Sequence, residues 1–173
     1  MRKQELIAKF RENHLELVDY IAALTAGQFS YSRNGKWTPG QQLKHVYLCL
    51  MPIAQALASK DFILQKFGKI DRPLLGYDAV VENYKTELAN GGKAPERFVP
   101  EKFDPDHEVE LSAQMAALLQ TIEQLLDQYT DEELDHLVLP HPLLGNLTIR
   151  EMLYLMTYHA THHLRQTEMN LKG

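Results

Sequence analysis

The sequence predicts an all-α protein, a four-helix bundle of antiparallel or mixed sense, on three observations. Long segments repeat apolar residues at spacings of three, four and seven, and two helix starts are written out as capping boxes. No run of strand length alternates apolar with polar residues. The 173 residues are 45% apolar and 24% charged, which suits a single domain over 1–173 with its own core.

The first helix is expected over about 3–26, with Leu6, Ile7, Phe10, Leu17, Ile21 and Leu24 forming its buried stripe and Gly27 closing it. A polar loop, Ser30 to Trp37, follows. Thr38 as N-cap, Pro39 at the first helical position and Gln41 three residues after the cap then open a second helix running to about Phe67. Pro52 cannot donate to the carbonyl of Leu48, so a kink or break is expected there. Residues 68–104 separate the second helix from the third and can cross the bundle from end to end, so a simple up-down-up-down path is not required. Within them, 78–89 reads as a short helix with Val80, Val81, Tyr84 and Leu88 on one side, ended by Asn90-Gly91-Gly92. Pro95, Pro100 and Pro105 make 93–105 irregular, with Phe98, Val99 and Phe103 expected to pack down. A third long helix, from Asp104-Pro105 to about Tyr129, carries Val109, Met115, Leu118, Leu119, Ile122, Leu125 and Leu126. Thr130 to Leu134 forms a single capped turn, and Leu139 to Asn146 is a loop by its Pro and Gly content. Thr148 and Glu151 make the second capping box, opening a last helix that reaches about Leu171.

Charge and cysteine content exclude several classes. Eighteen Lys and Arg stand against 23 Asp and Glu, a net charge of −5, so no nucleic-acid partner is expected. Cys49 is the single cysteine, which rules out an intrachain disulfide and a four-cysteine zinc site. The N-terminus is interrupted by charge too often for a signal peptide. The longest apolar run, Val46 to Ile53, falls far short of the roughly 20 residues of a membrane span. A soluble, cytoplasmic protein is the expectation.

The eight histidines are unevenly spread: three lie within Tyr158-His159-Ala160-Thr161-His162-His163 of the last helix. At about 100° per residue, His163 falls within the apolar face and His159 at its edge, while His162 points away. An i, i+4 histidine pair can offer two ring nitrogens to one metal ion. Buried together without a metal, each ring would need its own polar partner. Ala160 stands where the general base of a His-Glu-x-x-His protease would be, so that motif is absent. A third ligand must come from another helix, and His45 is the candidate, on a line with Leu48, Cys49 and Pro52. Cys49, one turn on, is a softer rival. His14, flanked by Glu12, Asn13 and Glu16, is expected to face solvent, as are His107 and His136.

Three motifs in order resemble those of the DinB/YfiT-like superfamily of metal-dependent four-helix-bundle proteins. They are Trp37-Thr38-Pro39-Gly40-Gln41-Gln42-Leu43-Lys44-His45, His141-Pro142-Leu143-Leu144-Gly145-Asn146-Leu147-Thr148, and Tyr158 to His163 with Gln166 beyond. The resemblance spans most of the chain. It implies an up-down-down-up bundle and a divalent metal on His45, His159 and His163. It also implies chemistry of the kind found in relatives that are thiol-using transferases or a thiol-dependent isomerase. The resulting expectation is an enzyme holding zinc or nickel, with a small-molecule substrate and a low-molecular-weight thiol as cosubstrate, acting as a thiol transferase or a hydrolase. Tyr158, His162, Gln166, Arg165 and His141 are candidates for orienting ligands or binding substrate. The alternative is a non-catalytic metal-binding module, or one that works as a homodimer; a site closed by a fourth protein ligand such as Cys49 would favour it.

Overall fold

The computed structural model describes residues 1–102 and 105–172. They are mainly helical, with one small antiparallel sheet. Four long helices, α1 (Lys3–Ala22), α3 (Pro39–Leu57), α6 (Glu108–Asp127) and α8 (Ile149–Leu171), are joined by the shorter α2 (Ala26–Phe29), α4 (Lys60–Lys66), α5 (Tyr77–Ala89) and α7 (Asp131–His136). Strands β1 (Val138–His141) and β2 (Gly145–Thr148) lead into α8. Among the described residues no single helix is long and apolar enough to cross a membrane; only α3 and α4 together approach that composition, and they are bent by 99°.

The helix α1 packs against α8 and α6, and α3 packs against the same two. Their shared core holds Leu6, Phe10, Leu17 and Ile21 of α1, Leu43 and Leu50 of α3, Met115, Leu119 and Ile122 of α6, and Leu153, Leu155 and Met156 of α8. Hydrogen bonds tie the helix ends. Lys3 Nζ donates to the carbonyls of Asp127 (3.2 Å) and Tyr129 (2.6 Å), so the start of α1 meets the end of α6. The Tyr129 hydroxyl donates to the carbonyl of Leu57 (2.8 Å), bringing the ends of α3 and α6 together. An Arg150 Nη1 bond to the carbonyl of Met1 (3.2 Å) sets the starts of α1 and α8 side by side.

Several expectations are corrected. The first helix stops at Ala22 rather than near residue 26, because Thr25 caps a new turn and accepts from Gln28 N. Gly27 lies inside that turn instead of closing α1. Helix α3 runs through Pro52 unbroken. The break comes at Ala58–Ser59, where the Ser59 side chain caps α4 by accepting from Phe62 N. Val109, expected in the core, is 74% exposed, and Leu111 is buried in its place. The 139–146 loop is a hairpin: Val138 pairs with Thr148 and His141 with Gly145, the latter at φ +69° in the left-handed region that favours glycine. The expected start of α6 at Asp104-Pro105 is replaced by a 3-10 turn, Pro105–His107, before the helix proper. Asp104 and Phe103 lie outside the described residues.

The long connection between α3 and α6 is pinned to α8 by one carboxylate. Glu151, 1% exposed, accepts from Arg72 Nη1 (2.8 Å) and Nη2 (2.7 Å), from Leu75 N (2.7 Å) and from Thr148 N (2.9 Å). Burial pushes this carboxyl up, but the bonds from Arg72, Leu75 and Thr148 outweigh it and hold the group below its ordinary range. Helix α5 forms over nearly the expected span and packs on α8. After it, Gly92 approaches the backbone so closely that a Cβ there would lie 2.7 Å from the carbonyl oxygen of Glu87 and 3.1 Å from Leu143 of the hairpin turn. The same carbonyl accepts from Gly92 N at 2.8 Å. Covered by these neighbours, every residue of α8 from Ile149 to Thr157 is buried.

Candidate metal centre

Two capping boxes set the registers that bring the histidines together. Thr38 Oγ1 accepts from Gln41 N (3.1 Å) while Gln41 Oε1 accepts from Thr38 N (3.0 Å), fixing the start of α3. His45 follows Gln42 by three residues and precedes Cys49 by four, so all three share a face. Thr148 and Glu151 form the matching box on α8, with Glu151 N donating to Thr148 Oγ1 at 3.1 Å. His159 and His163 project one turn apart into the same space.

The rings of His45, His159 and His163 are buried and meet through their Nε2 atoms. His45 Nε2 lies 3.3 Å from His159 Nε2, and His163 Nε2 lies 3.0 Å from it. Tetrahedral zinc with bonds of 2.0–2.1 Å has ligand nitrogens about 3.3 Å apart, close to these separations. Two outer contacts settle which nitrogens carry protons. His45 Nδ1–H donates to the carbonyl of Phe98 (2.7 Å), and His163 Nδ1–H donates to Gln42 Oε1 (2.5 Å). Both Nε2 atoms therefore present lone pairs, the arrangement that orients ligating histidines.

His159 cannot satisfy both neighbours. Burial drives its ring, and that of His163, well below the ordinary histidine range, and neighbouring imidazoles add to the effect, so all are neutral. His45 is lowered by burial too, despite its bond to Phe98. If the one proton of His159 sits on Nε2, it reaches one neighbour and leaves Nδ1 bare; if it sits on Nδ1, three lone pairs converge. His159 Nδ1 has no protein partner among the described residues. A divalent cation would resolve this conflict, and the donor set fits one.

Cys49 lies beside the same centre. Its Sγ is 3.6 Å from His45 Nε2, and Cys49, His45 and His159 each place a ligand atom within 4.8 Å of the other two. Burial pushes its thiol up to about 12.

The centre opens on a cavity of about 540 Å³. Trp37, Ile53, Phe67, Phe98, Leu139 and Met156 supply much of its apolar wall. The Trp37 ring sits 4.8 Å from that of His45 and stacks at 6.3 Å on His163. Tyr84 is a hub, its ring 6.1 Å from both His159 and His141 and 6.3 Å from His162; burial raises its hydroxyl pKa. His162, read from the wheel as pointing away, is half-buried, lines the cavity and meets His163 edge-on at 5.1 Å. His141 also lines the cavity, lowered to about 4 by burial. Its Nδ1 accepts from Leu143 N and Leu144 N, both 3.2 Å, which puts the proton of the neutral ring on Nε2. Tyr158 and Gln166 are half-buried on α8 outside the cavity lining, and Arg165 is exposed.

His107 and His136 are exposed as expected, but His14 is fully buried rather than facing solvent. Sequence reasoning also missed Phe98, whose backbone carbonyl leaves no mark in residue type. Gln42 is different: its position one turn before His45 could have marked it as a partner.

A model of the DinB superfamily matches residues 9–167. No curated protein matches the chain.

Proposed function

We propose that this protein, which belongs to the DinB superfamily, is a divalent-metal-dependent enzyme acting on a small molecule in the cavity, with His45, His159 and His163 as the ligands. One observation carries the reading: three buried Nε2 atoms converge at 3.0 and 3.3 Å while Phe98 and Gln42 hold two of the rings by Nδ1. Zinc or nickel suits an imidazole set. Bound there, the ion would keep its full double charge and lower the pKa of a coordinated water or thiol, the chemistry of a hydrolase or a thiol transferase with a low-molecular-weight thiol cosubstrate. The chain itself orients the rings, shields them behind Trp37 and the apolar wall, and offers the His141 Nε2–H as a donor to a bound molecule. The fold reading is a four-helix bundle running up-down-down-up. It is supported by the meeting of the α1 start with the α6 end, of the α3 and α6 ends, and of the α1 and α8 starts.

Cys49 supports a second reading, a closed structural site with four protein ligands. Elemental analysis of protein purified without an affinity tag distinguishes them. We expect about one divalent ion per chain, lost in His45→Ala, His159→Ala and His163→Ala and kept in Cys49→Ala. Loss in Cys49→Ala would favour the closed site. A metal-free wild type that also fails to bind added zinc or nickel would end both readings.

A further inference from the structure

Among the described residues, the charged side chains that line the cavity are exposed cations. Among the described residues lining it, only Lys93 and Arg97 carry a full side-chain charge; both are exposed, and none of the described lining residues is an Asp or Glu in a chain that carries 23 acids. Both cations lie on the segment 93–98, whose Phe98 carbonyl also holds His45. The Arg97 guanidinium rests 4.7 Å from the Phe98 ring centroid, and neither cation has an ion-pair partner among the described residues. We propose that the cavity takes a small amphiphilic anion, its apolar body against the wall and its carboxylate or comparable group at Lys93 and Arg97. This assignment deepens the enzymatic reading and rests on the same cavity.

The test titrates 4-phenylbutyrate, 4-phenylbutanol and 4-phenylbutylamine into metal-loaded and chelator-treated protein, by calorimetry, with Lys93→Gln/Arg97→Gln as the variant. The carboxylate should bind about five-fold or more tightly than the alcohol, with the amine weakest, in both metal states, as expected for charge-assisted bonds at a partly shielded mouth. The double variant should bind the acid and the alcohol alike. No binding of the carboxylate up to its solubility limit, no preference, or a preference that survives the double substitution would overturn the proposal. A preference that vanishes on chelation but not in the double variant would place the carboxylate on the metal and overturn it too. Metal content measured on the same samples tests the metal-site reading separately.

A different observation concerns His14. Its Nδ1–H donates to the carbonyl of Phe10 (2.6 Å), which leaves Nε2 a bare acceptor, fully buried and without a protein partner among the described residues. Among the described residues, the other buried imidazole nitrogen in that state is His159 Nδ1. Neighbouring Asn13 Nδ2 donates to Thr157 O (3.1 Å) and Thr161 Oγ1 (3.0 Å), fixing this part of α1 on α8 beside His159. We infer that His159 Nδ1–H is held by His14 Nε2 through one bridging water, making His14 a positioning residue for the metal ligand; this rests on the three-histidine reading. Zinc affinity should fall about ten-fold or more in His14→Leu and recover substantially in His14→Gln, which keeps an acceptor. In the wild-type zinc protein, nitrogen-15 NMR should find His159 protonated at Nδ1 with slow proton exchange. Equal losses in both variants, no loss in a folded His14→Leu, or an Nε2-protonated His159 would overturn the inference. Should His14→Leu not fold, the His14→Gln affinity and the wild-type tautomer still decide. Wild-type zinc stoichiometry reports on the metal site independently.

Discussion

Helix α8 carries two buried polar clusters, two turns apart, that are built on opposite principles. Around Glu151 the protein completes its own bonding: the carboxylate takes four donors from Arg72, Leu75 and Thr148. Around His159 it does not: lone pairs meet lone pairs, and His159 Nδ1 has no protein partner among the described residues. A polar cluster closed on itself spends its bonds on holding segments in place; one left incomplete keeps them for something that arrives. The first should govern stability and the second binding.

The largest separation of those two effects is expected at His159. His159→Leu should abolish zinc or nickel binding, a loss above about 100-fold for one of the three proposed ligands. The metal-free form should unfold in urea within about 1 kcal/mol of wild type, since an unsatisfied buried group is removed with the ring. Glu151→Ala should do the reverse. Stripping a buried acceptor from four donors should cost about 3 kcal/mol in the same titration while leaving metal affinity within about two-fold. Equal damage to binding from both changes would break the comparison.

Acid should act next. His141 is held at about 4 against an ordinary 6.5, so between those values the unfolded chain binds a proton that the folded chain refuses. Stability is therefore full above pH 6.5 and declines as the pH falls towards 4, by on the order of 3 kcal/mol for this residue. His141→Asn, which keeps an acceptor for Leu143 N and Leu144 N, should flatten that part of the pH profile of urea unfolding. The smallest effect belongs to the half-exposed pair of Lys60 with Glu133, 2.7 Å apart. Lys60→Met should shift stability by less than about 1 kcal/mol, leaving metal content untouched.

Both capping boxes and the i, i+4 pairing of His159 with His163 were legible because each depends on residues close in sequence. The meeting of that pair with His45 was legible only as an inference from two amphipathic faces. Features fixed by distant contacts were not. Pro52 marks a kink or a break by local rules, yet α3 continues through it without a break and the chain turns at Ser59. The 139–146 segment looks like a loop because strand pairs this short carry little periodicity of their own. His14 is the instructive miss. Its neighbours Glu12, Asn13 and Glu16 suggest solvent, but it lies four residues after Phe10, three before Leu17 and seven before Ile21, squarely on the buried stripe. Period outweighs neighbourhood on a helix.

Gly92 gives the cavity a gauge. The missing side chain lets the end of α5 sit against Leu143 of the hairpin turn, and the next residue, Lys93, begins the wall that ends at Phe98 and its hold on His45. A single methyl group at position 92 would collide with the Glu87 carbonyl, forcing residue 92 to shift, and would crowd the Leu143 side chain. The aperture that admits a ligand and the aim of the imidazole that would meet it are therefore cut to one template, and neither can be retuned without the other.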